Sequence, residues 1–228
     1  MLSNSGLAGV DGCRGGWIVV TRFGDDMQAE MVTALDPVIE QLRDGTLGAL
    51  AIDMPIGLLD DRPRSCDIEA RKVLGPRRSS VFPAPVRSTL AAASYQDACR
   101  LSSQASGKAL SKQAFNLIPK IAELDLLVTS ADQDRLVEAH PECAFARLAE
   151  GPLVEPKRTK AGQALRRQLL GGNDSNLDAL ISEHPQLPVI DLMDAAVLTI
   201  TAGHVAAGSE IRLGNDVDCT GLRAEIVY

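Results

Sequence analysis

The chain has 228 residues and a formal net charge of −7, and 45% of its residues are apolar but only 3% aromatic. This length suits one α/β domain, and the shortage of aromatic residues predicts a core of Ala, Val, Leu and Ile. We find neither the roughly 18 continuous apolar residues of a membrane span nor a signal-peptide pattern. Five cysteines without a Cys-x-x-Cys pair count against a disulfide framework and a structural zinc site. We therefore expect a cytoplasmic protein with no membrane partner.

Apolar periodicity and turn residues predict an alternation of strands and helices along the chain. Three strands come first, and the last of them precedes a helix with Asp36 as its cap; Ser65 caps the second helix. The predicted strands are Leu7–Asp11, Trp17–Val20, Met27–Thr33, Leu47–Asp53 and Leu136–Ala139, with a terminal strand near Ile211 or Ile226. The predicted helices are Pro37–Arg43, Ser65–Leu74, a broken segment over 88–129, one that begins at Phe145, and Ala161–Leu170, Asn176–Ile181 and Asp191–Ala206.

This order predicts an α/β fold with a mixed sheet flanked by helices. An antiparallel start followed by βαβ crossovers gives both antiparallel and parallel pairs. We expect a single domain over 1–228, with the helical segment at about 88–130 as an insertion.

Acidic residues follow two of the predicted strands. Asp11 lies beside a glycine-rich turn, whose bare backbone permits close approach of a phosphate or a hydrated metal. Asp53 ends the apolar run LGALAID and precedes a Pro-x-Gly turn. The alternative for Asp11 is that it only stabilises the turn. Asp53 is harder to explain structurally, because an apolar strand that delivers one carboxylate to a turn is a specific arrangement.

Two further groups of polar residues lie later in the chain. Asp191 and Asp194 are three apart at the start of the last helix and project from one face. Glu138, His140 and Glu142 alternate along the fifth strand and share a face. The alternatives are that Asp191 caps the helix while Asp194 complements its dipole. For the second group, the alternatives are that His140 is a packed or hydrogen-bonded histidine and that Glu138 is a surface residue.

Several carboxylates in one place repel each other unless a cation lies among them. Hard divalent cations take oxygen ligands, and two of them roughly 3.5–4 Å apart can bind the attacking and leaving oxygens of a phosphodiester. The acids therefore suggest a site for Mg²⁺ or Mn²⁺.

Basic residues are concentrated between Arg62 and Arg87 and again between Lys157 and Arg167. Such runs are often only a solvated surface, and the negative net charge counts mildly against a protein that coats nucleic acid. If the runs are functional, they neutralise phosphates. The candidate phosphate-binding residues are Arg71, Arg77, Arg78, Lys157 and Arg166.

Five motifs stand in order along the chain: GVDGCRGGW, AIDMPIGL, CDIEARKVLGPRRSSVFPAP, EAHPE and KRTKAGQALRRQLL. Together, from about Gly9 to Ala202, they resemble an uncharacterised bacterial and archaeal family of predicted nucleases with a ribonuclease-H-like fold. The resemblance implies a ribonuclease-H-like five-stranded sheet. It speaks to the fold more than to the function, because one fold hosts many activities.

The resemblance also implies roles for individual acids. Ribonuclease-H-like proteins place one aspartate on the first strand, a second acid on the fourth and one or two acids on the final helix. The implied metal ligands and catalytic residues are Asp11, Asp53, Asp191 and Asp194, and Glu142 joins them as a catalytic candidate. The paired helical acids resemble Holliday-junction resolvases more than ribonuclease H. This chain departs from the pattern because its second acid lies at the strand end and Glu142 has no clear counterpart.

Three functions remain open. The first is a Mg²⁺- or Mn²⁺-dependent nuclease that acts on DNA or RNA. The second is an actin-like nucleotide-binding phosphotransferase or ATPase, in which the glycine-rich hairpin would bind phosphates; the second glycine hairpin that this reading requires is missing from the sequence. The third is a non-catalytic binding protein. The expected partner is a nucleic acid or nucleotide substrate, and a homodimer is left open.

Overall fold

The centre of the fold is a mixed five-stranded sheet in the order β3-β2-β1-β4-β5. The structure, a computed structural model, describes residues 5–171 and 177–228. The strands of the sheet are β1 (Gly6–Cys13), β2 (Gly16–Phe23), β3 (Asp26–Val32), β4 (Leu47–Asp53) and β5 (Leu136–Glu138). β1 pairs antiparallel with β2 and parallel with β4, and β4 pairs parallel with β5. The expectation of an α/β fold with a mixed sheet is confirmed, and the strand order is consistent with a ribonuclease-H-like arrangement.

Helices cover both faces of this sheet. The described helices are α1 (Asp36–Arg43), α2 (Ser65–Leu74), α3 (Tyr95–Ser106), α4 (Lys112–Leu127), α5 (Pro141–Leu148), α6 (Lys160–Gly171), α7 (Leu177–Glu183) and α8 (Val189–Ala207). On one face the core is built by α8 with α5, α6 and α7. On the other face it is built by α1 and α4. Aliphatic residues dominate both clusters, as the composition predicts.

The segment between β4 and β5 contains α3 and α4 and contacts the sheet beside β1. Gly107 ends α3 in the left-handed conformation, and Pro119 lies inside α4. The Trp17 indole of β2 donates a hydrogen bond to Glu123 of α4 at 3.1 Å, and the Lys120 ammonium lies 4.2 Å from the Trp17 ring centre. These contacts place α4 next to the β1–β2 hairpin.

A terminal hairpin, β6 (Arg212–Val217) and β7 (Arg223–Val227), forms a separate two-stranded sheet. The sequence predicted one terminal strand near Ile211 or Ile226, whereas the structure has two. A single parallel bridge between Ala139 and Val227 joins the hairpin to the end of β5.

Several predicted boundaries were wrong by a few residues. β1 continues past Asp11 to Cys13, because the ladder with β2 extends up to Gly16. α5 begins at Pro141, where proline is favoured in a first helical turn, rather than at Phe145. The predicted start of α7 at Asn176 lies outside the described residues.

α8 is long and apolar enough to cross a membrane by length and composition. The sequence expectation overlooked it because Asp191 and Asp194 interrupt the apolar run. In the structure α8 lies on the sheet and most of its central residues are buried. Packing within an α/β domain therefore accounts for its apolar character.

Candidate functional site

Two of the predicted acids meet at the centre of the sheet. Asp11 of β1 lies directly opposite Asp53 of β4 in the parallel register. Paired residues of adjacent strands project from the same face, and the strands lie about 4.8 Å apart. The fold thus puts two carboxylates side by side near the carboxyl ends of two parallel strands.

α8 crosses this face at very close range, and Gly9 makes that possible. A Cβ atom at Gly9 would lie 2.0 Å from the Ala195 carbonyl oxygen and 2.7 Å from the Thr199 amide nitrogen. Only glycine leaves room for the helix backbone at this position. The close approach brings Asp194, which is 1% exposed, over the strand that carries Asp11. We call Asp11, Asp53, Asp191 and Asp194 the acid cluster.

The electrostatics of the acid cluster show mutual repulsion. Burial raises the pKa of Asp11 well above its ordinary value, and the charges of Asp53 and Asp194 raise it further. Burial also raises the pKa of Asp194 to about 7, with Lys157 opposing the rise. The pKa values of Asp53 and Asp191 are raised by burial too. Such a cluster carries its full negative charge only when a cation compensates it.

Lys157 supplies a positive charge inside the cluster. Its ammonium donates a short hydrogen bond to Oδ2 of Asp194. Burial alone would lower the pKa of Lys157, but the attraction of Asp194, Asp53 and Asp11 outweighs burial and raises the pKa. The lysine is therefore charged and serves as the counter-ion of these acids.

One oxygen of the cluster has no partner. Oδ1 of Asp194 is buried and accepts no hydrogen bond from any residue that the structure describes, which is costly for a carboxylate. Among the residues that the structure describes, no group of three or more His, Cys, Asp or Glu side chains is arranged to hold a metal ion. The donor set nevertheless consists of carboxylate oxygens, the ligands of Mg²⁺ and Mn²⁺. Its chemistry fits a hard cation, provided that Lys157 shares Asp194 with that cation.

A cleft of about 470 Å³ opens above Asp11 and Asp53. Its lining combines charged residues with apolar and amide side chains. The charged residues include Glu142, Lys157, Arg77 and Arg158, and the others include Met54, Phe82, Gln113 and Leu117. A volume of this size is typical of small-molecule and substrate sites.

Asp191, unlike Asp11 and Asp53, does not line this cleft. It lines a second cavity of about 470 Å³ together with Lys157, Arg158 and Gln163. Pro188 is the N-cap of α8 and makes no side-chain capping bond, so the alternative that Asp191 caps this helix was wrong. Lys157 and Arg158 line both cavities, and the charge of Asp191 still raises the pKa of Asp11.

The expected alternation of Glu138, His140 and Glu142 along one strand was wrong. β5 ends at Glu138, which turns toward a buried ion pair with Arg64. His140 caps α5, where its Nδ1 accepts the Glu142 amide at 3.2 Å, and Nε2 lies 3.4 Å from the Ser80 carbonyl oxygen. This is the hydrogen-bonded histidine foreseen as the alternative. His140 and Glu142 line the cleft, whereas Glu138 does not.

The Glu142 carboxylate is bound by a fully buried arginine. Nη2 of Arg166 lies 2.7 Å from both carboxylate oxygens, and Nε lies 3.2 Å from one of them. Arg166 is 0% exposed and does not line the cleft. Its guanidinium is used within the protein, so in this structure it is not placed to contact a phosphate.

The other predicted phosphate-binding residues divide into two pairs. Arg77 and Lys157 line the cleft. Arg71 instead donates a hydrogen bond to the Val81 carbonyl at 2.5 Å, and Arg78 is exposed outside the cleft lining. The structure thus brings only part of the basic set to the acids.

Sequence reasoning missed the apolar and amide residues of the cleft lining. Gln113 and Leu117 come from α4, and Phe82 comes from the irregular segment after α2. No local pattern marks these residues, because they belong to the site only through the packing of α4 beside the β1–β2 hairpin. The basic residue Arg158, next to Lys157, was part of a basic run but was not singled out.

Comparison with known proteins gives one family match. Searches against curated proteins and against solved structures return no match. Residues 9–218 match a family described as protein of unknown function (DUF429). This span contains the acid cluster, the cleft and the whole five-stranded sheet except the start of β1. The chain therefore belongs to the DUF429 family of proteins of unknown function.

Proposed function

We propose that this protein is a divalent-metal-dependent nuclease that hydrolyses phosphodiester bonds of DNA or RNA. The observation that carries the proposal is the pairing of Asp11 and Asp53 beneath a cleft, beside an Asp194 carboxylate whose charge raises the pKa of Asp11 and whose buried Oδ1 has no partner among the described residues. Carboxylates that share a buried site repel each other unless a cation binds among them. The basic residues that line the same cleft favour an anionic substrate.

Mg²⁺ or Mn²⁺ is the proposed cofactor, with Asp11, Asp53 and Asp194 as its ligands and Asp191 beside them. Such an ion would lower the pKa of a bound water and neutralise charge on the phosphate. The chain's own residues contribute the binding surface. Glu142 is held in place by Arg166, so its carboxylate serves as a fixed part of the cleft wall.

The remaining cleft residues are proposed to bind the nucleic acid. Arg77 and Arg158 line the rim and would hold phosphate groups by charge-assisted hydrogen bonds. Phe82 and Leu117 offer apolar surface for a base or sugar, and Gln113 offers an amide for hydrogen bonding. Phosphate contacts fix the strand while the acids face the bond to be cleaved.

A nucleotide phosphotransferase or ATPase is the second candidate, and the cleft volume favours it. A cavity of about 470 Å³ can take a single nucleotide. The glycine hairpin counts against it, because the β1–β2 ladder continues to the pair Cys13 and Gly16. Only Arg14 and Gly15 remain in the turn, and neither lines the cleft.

The proposed location is the cytoplasm. The cysteines of the chain are free, and Cys13, Cys66 and Cys143 are buried. Free thiols persist in reducing compartments. A nucleic acid substrate fits that location, and a homodimer stays a prediction.

The test is a substrate panel with purified protein. Single-stranded, double-stranded and branched DNA and RNA are incubated with Mg²⁺, Mn²⁺, Ca²⁺ or a chelator, and ATP and GTP are tested in parallel. We expect strand cleavage with Mg²⁺ or Mn²⁺ only, because the looser coordination of Ca²⁺ positions water poorly. In Asp53→Asn and Asp11→Asn, cleavage should fall at least about a hundredfold, the order of loss when a main electrostatic group is removed.

Asp60→Asn is the matched control, because Asp60 is exposed and lies outside the cleft lining. It removes the same charge and should cleave like the wild type. Nucleotide hydrolysis without strand cleavage would favour the phosphotransferase. Metal binding without either activity would favour the non-catalytic binding protein.

A further inference from the structure

Lys157 is held in the acid cluster by a loop with several anchors. The loop joins α5 to α6. Nη1 of Arg166 donates to the Glu155 carbonyl at 3.1 Å. Thr159 Oγ1 donates to the Pro156 carbonyl at 2.9 Å, and a Cβ atom at Gly162 would lie 2.0 Å from that same oxygen. The residues on both sides of Lys157 are thus fixed to α6.

Arg166 connects this loop to the cleft wall. The same guanidinium that binds the Glu155 carbonyl binds both oxygens of Glu142. It is fully buried, and it lies 5.4 Å from the Phe145 ring centre. Glu142 and Arg166 therefore act as positioning residues that fix where the Lys157 backbone runs.

The Lys157 ammonium satisfies only part of the cluster. It binds Oδ2 of Asp194, while Oδ1 of the same carboxylate is buried with no partner in the described parts of the chain. The lysine side chain itself is 34% exposed at the edge of two cavities. It therefore has room to leave Asp194 toward solvent, whereas the buried carboxylate has none.

We propose that the Lys157 ammonium is the resident cation of the acid cluster and competes with a divalent metal for Asp194. The inference rests on the metal site of the proposed function but not on phosphodiester chemistry. In the metal-free protein the lysine offsets the repulsion among the acids. When a metal binds, the ammonium moves from Asp194 toward the cleft, where it faces an incoming phosphate.

The first experiment measures Mn²⁺ affinity by titration calorimetry in the absence of any substrate. Lys157→Gln should bind Mn²⁺ at least about tenfold more tightly than the wild type, because a charge-assisted hydrogen bond no longer competes. Without metal, its melting temperature should be lower by about 3 °C or more. Lys160→Gln is the control, since Lys160 is exposed and lies outside both cavity linings; it should match the wild type.

A second experiment needs no variant. Wild-type protein is labelled with an amine-acylating reagent, with and without Mn²⁺, and the modified lysines are quantified by mass spectrometry. Mn²⁺ should raise the labelling rate of Lys157 severalfold and leave that of Lys160 unchanged.

Equal or weaker Mn²⁺ binding by folded Lys157→Gln, or Lys157 labelling that Mn²⁺ does not raise, would overturn the competition. Failure of the proposed function looks different. If Mn²⁺ binds and displaces Lys157 but no nucleic acid is cleaved, the nuclease proposal fails and the competition stands.

Discussion

Two buried charged clusters lie on either side of the end of β4, and they differ in how completely their oxygens are bonded. The first is the acid cluster. The second consists of Arg64, Asp67 and Glu138, which we call the Arg64 network. Nη2 of Arg64 lies 2.6 Å from Asp67 and 2.7 Å from Glu138, and Nη1 lies 2.7 Å from Glu138. The remaining oxygen of Asp67 accepts the Ala84 amide at 3.0 Å.

The Arg64 network also fixes the chain after Asp53. Oε2 of Glu138 accepts the Ile56 amide at 2.7 Å, and Nη1 of Arg64 donates to the Ile56 carbonyl at 3.0 Å. Every carboxylate oxygen in this network has a partner. In the acid cluster the Lys157 ammonium is hydrogen-bonded to one oxygen of Asp194, and the other oxygen of Asp194 has no partner among the described residues.

The difference distinguishes a cluster whose oxygens are all bonded from one that still has an oxygen available to a ligand. In a saturated network every polar group is already bonded within the protein. Such a network stabilises the fold and leaves no group free to bind a ligand. An undersatisfied buried carboxylate is a cost in the resting protein, and function is the usual reason for such a cost. The Arg64 network thus holds the β4 end rigid, and the acid cluster beside it stays available.

The largest expected effect comes from breaking the Arg64 network. Arg64→Gln leaves Asp67 and Glu138 buried without their cation, so the free energy of unfolding should fall by about 3–5 kcal/mol. Urea denaturation measures this. Arg167→Gln is the control, because Arg167 and Asp178 form an exposed pair and its loss should cost less than about 1 kcal/mol. A similarly small loss of unfolding free energy in Arg64→Gln would mean that the Arg64 network does not stabilise the fold.

The pH dependence of stability should reveal the acid cluster in metal-free protein. Its carboxyls have raised pKa values in the folded state, about 7 for Asp194, so between pH 4 and 7 these groups bind more protons in the folded protein than in the unfolded one. Their contribution to the free energy of unfolding should therefore fall as pH rises through this window, by up to about 1.4 kcal/mol per pH unit for each proton released. Denaturation with a chelator present measures the slope.

Two variants check this sign. Asp194→Asn should flatten the fall between pH 4 and 7. Asp132→Asn tests the opposite case, because a side-chain hydrogen bond from Arg43 lowers the pKa of Asp132 to about 2. The stability from Asp132 is present above pH 4 and is lost as pH falls toward 2, so this variant should leave the slope above pH 4 unchanged. An unaltered slope in Asp194→Asn would contradict the account.

Removing one charge from the acid cluster should have the opposite sign to Arg64→Gln. Asp53→Asn is nearly isosteric and relieves repulsion, so the free energy of unfolding without metal should be unchanged or rise by up to about 1 kcal/mol. Thermal denaturation with a chelator measures it. A loss comparable to that of Arg64→Gln would mean that Asp53 is a structural residue.

The smallest expected effect concerns the basic rim. Arg77→Gln should weaken nucleic acid binding and lower the slope of affinity against salt concentration by about one. Arg78→Gln is the matched control, because Arg78 is exposed outside the cleft lining and should leave the slope unchanged. Fluorescence anisotropy at several salt concentrations gives both slopes. Equal slopes for the two variants would mean that Arg77 does not contact a phosphate of the nucleic acid.

The sequence predicted the bounds of β4 and the starts of α1 and α2 to within one residue, but not which groups bond the first turns of these helices. β4 matches its prediction because an apolar run between glycine and proline leaves few alternatives. The expected caps Asp36 and Ser65 make no capping bond. Instead the Leu35 amide is bound by Glu123, and the Ser65 amide by Asp216. Partners so distant in sequence are invisible to a local pattern.

The candidate site shows the same limit. Asp11, Asp53 and Asp194 stand out because each is an acid in an apolar setting. Lys157 and Arg166 both belong to a basic run, and their composition alone suggested a phosphate surface. Only the fold shows that Arg166 is buried against Glu142 and that Lys157 reaches into the acid cluster. The sign of a side chain's charge can be read from the sequence, but the residue with which that side chain pairs cannot.

A crystal structure of the protein soaked with Mn²⁺ tests the central claim most directly. Anomalous diffraction locates the metal without any assumption about substrate. We expect a Mn²⁺ ion bound by carboxylate oxygens of Asp11, Asp53 and Asp194, with the Lys157 ammonium moved away from Asp194. Saturating Mn²⁺ with no anomalous peak at these carboxylates, and Lys157 still bound to Asp194, would contradict it.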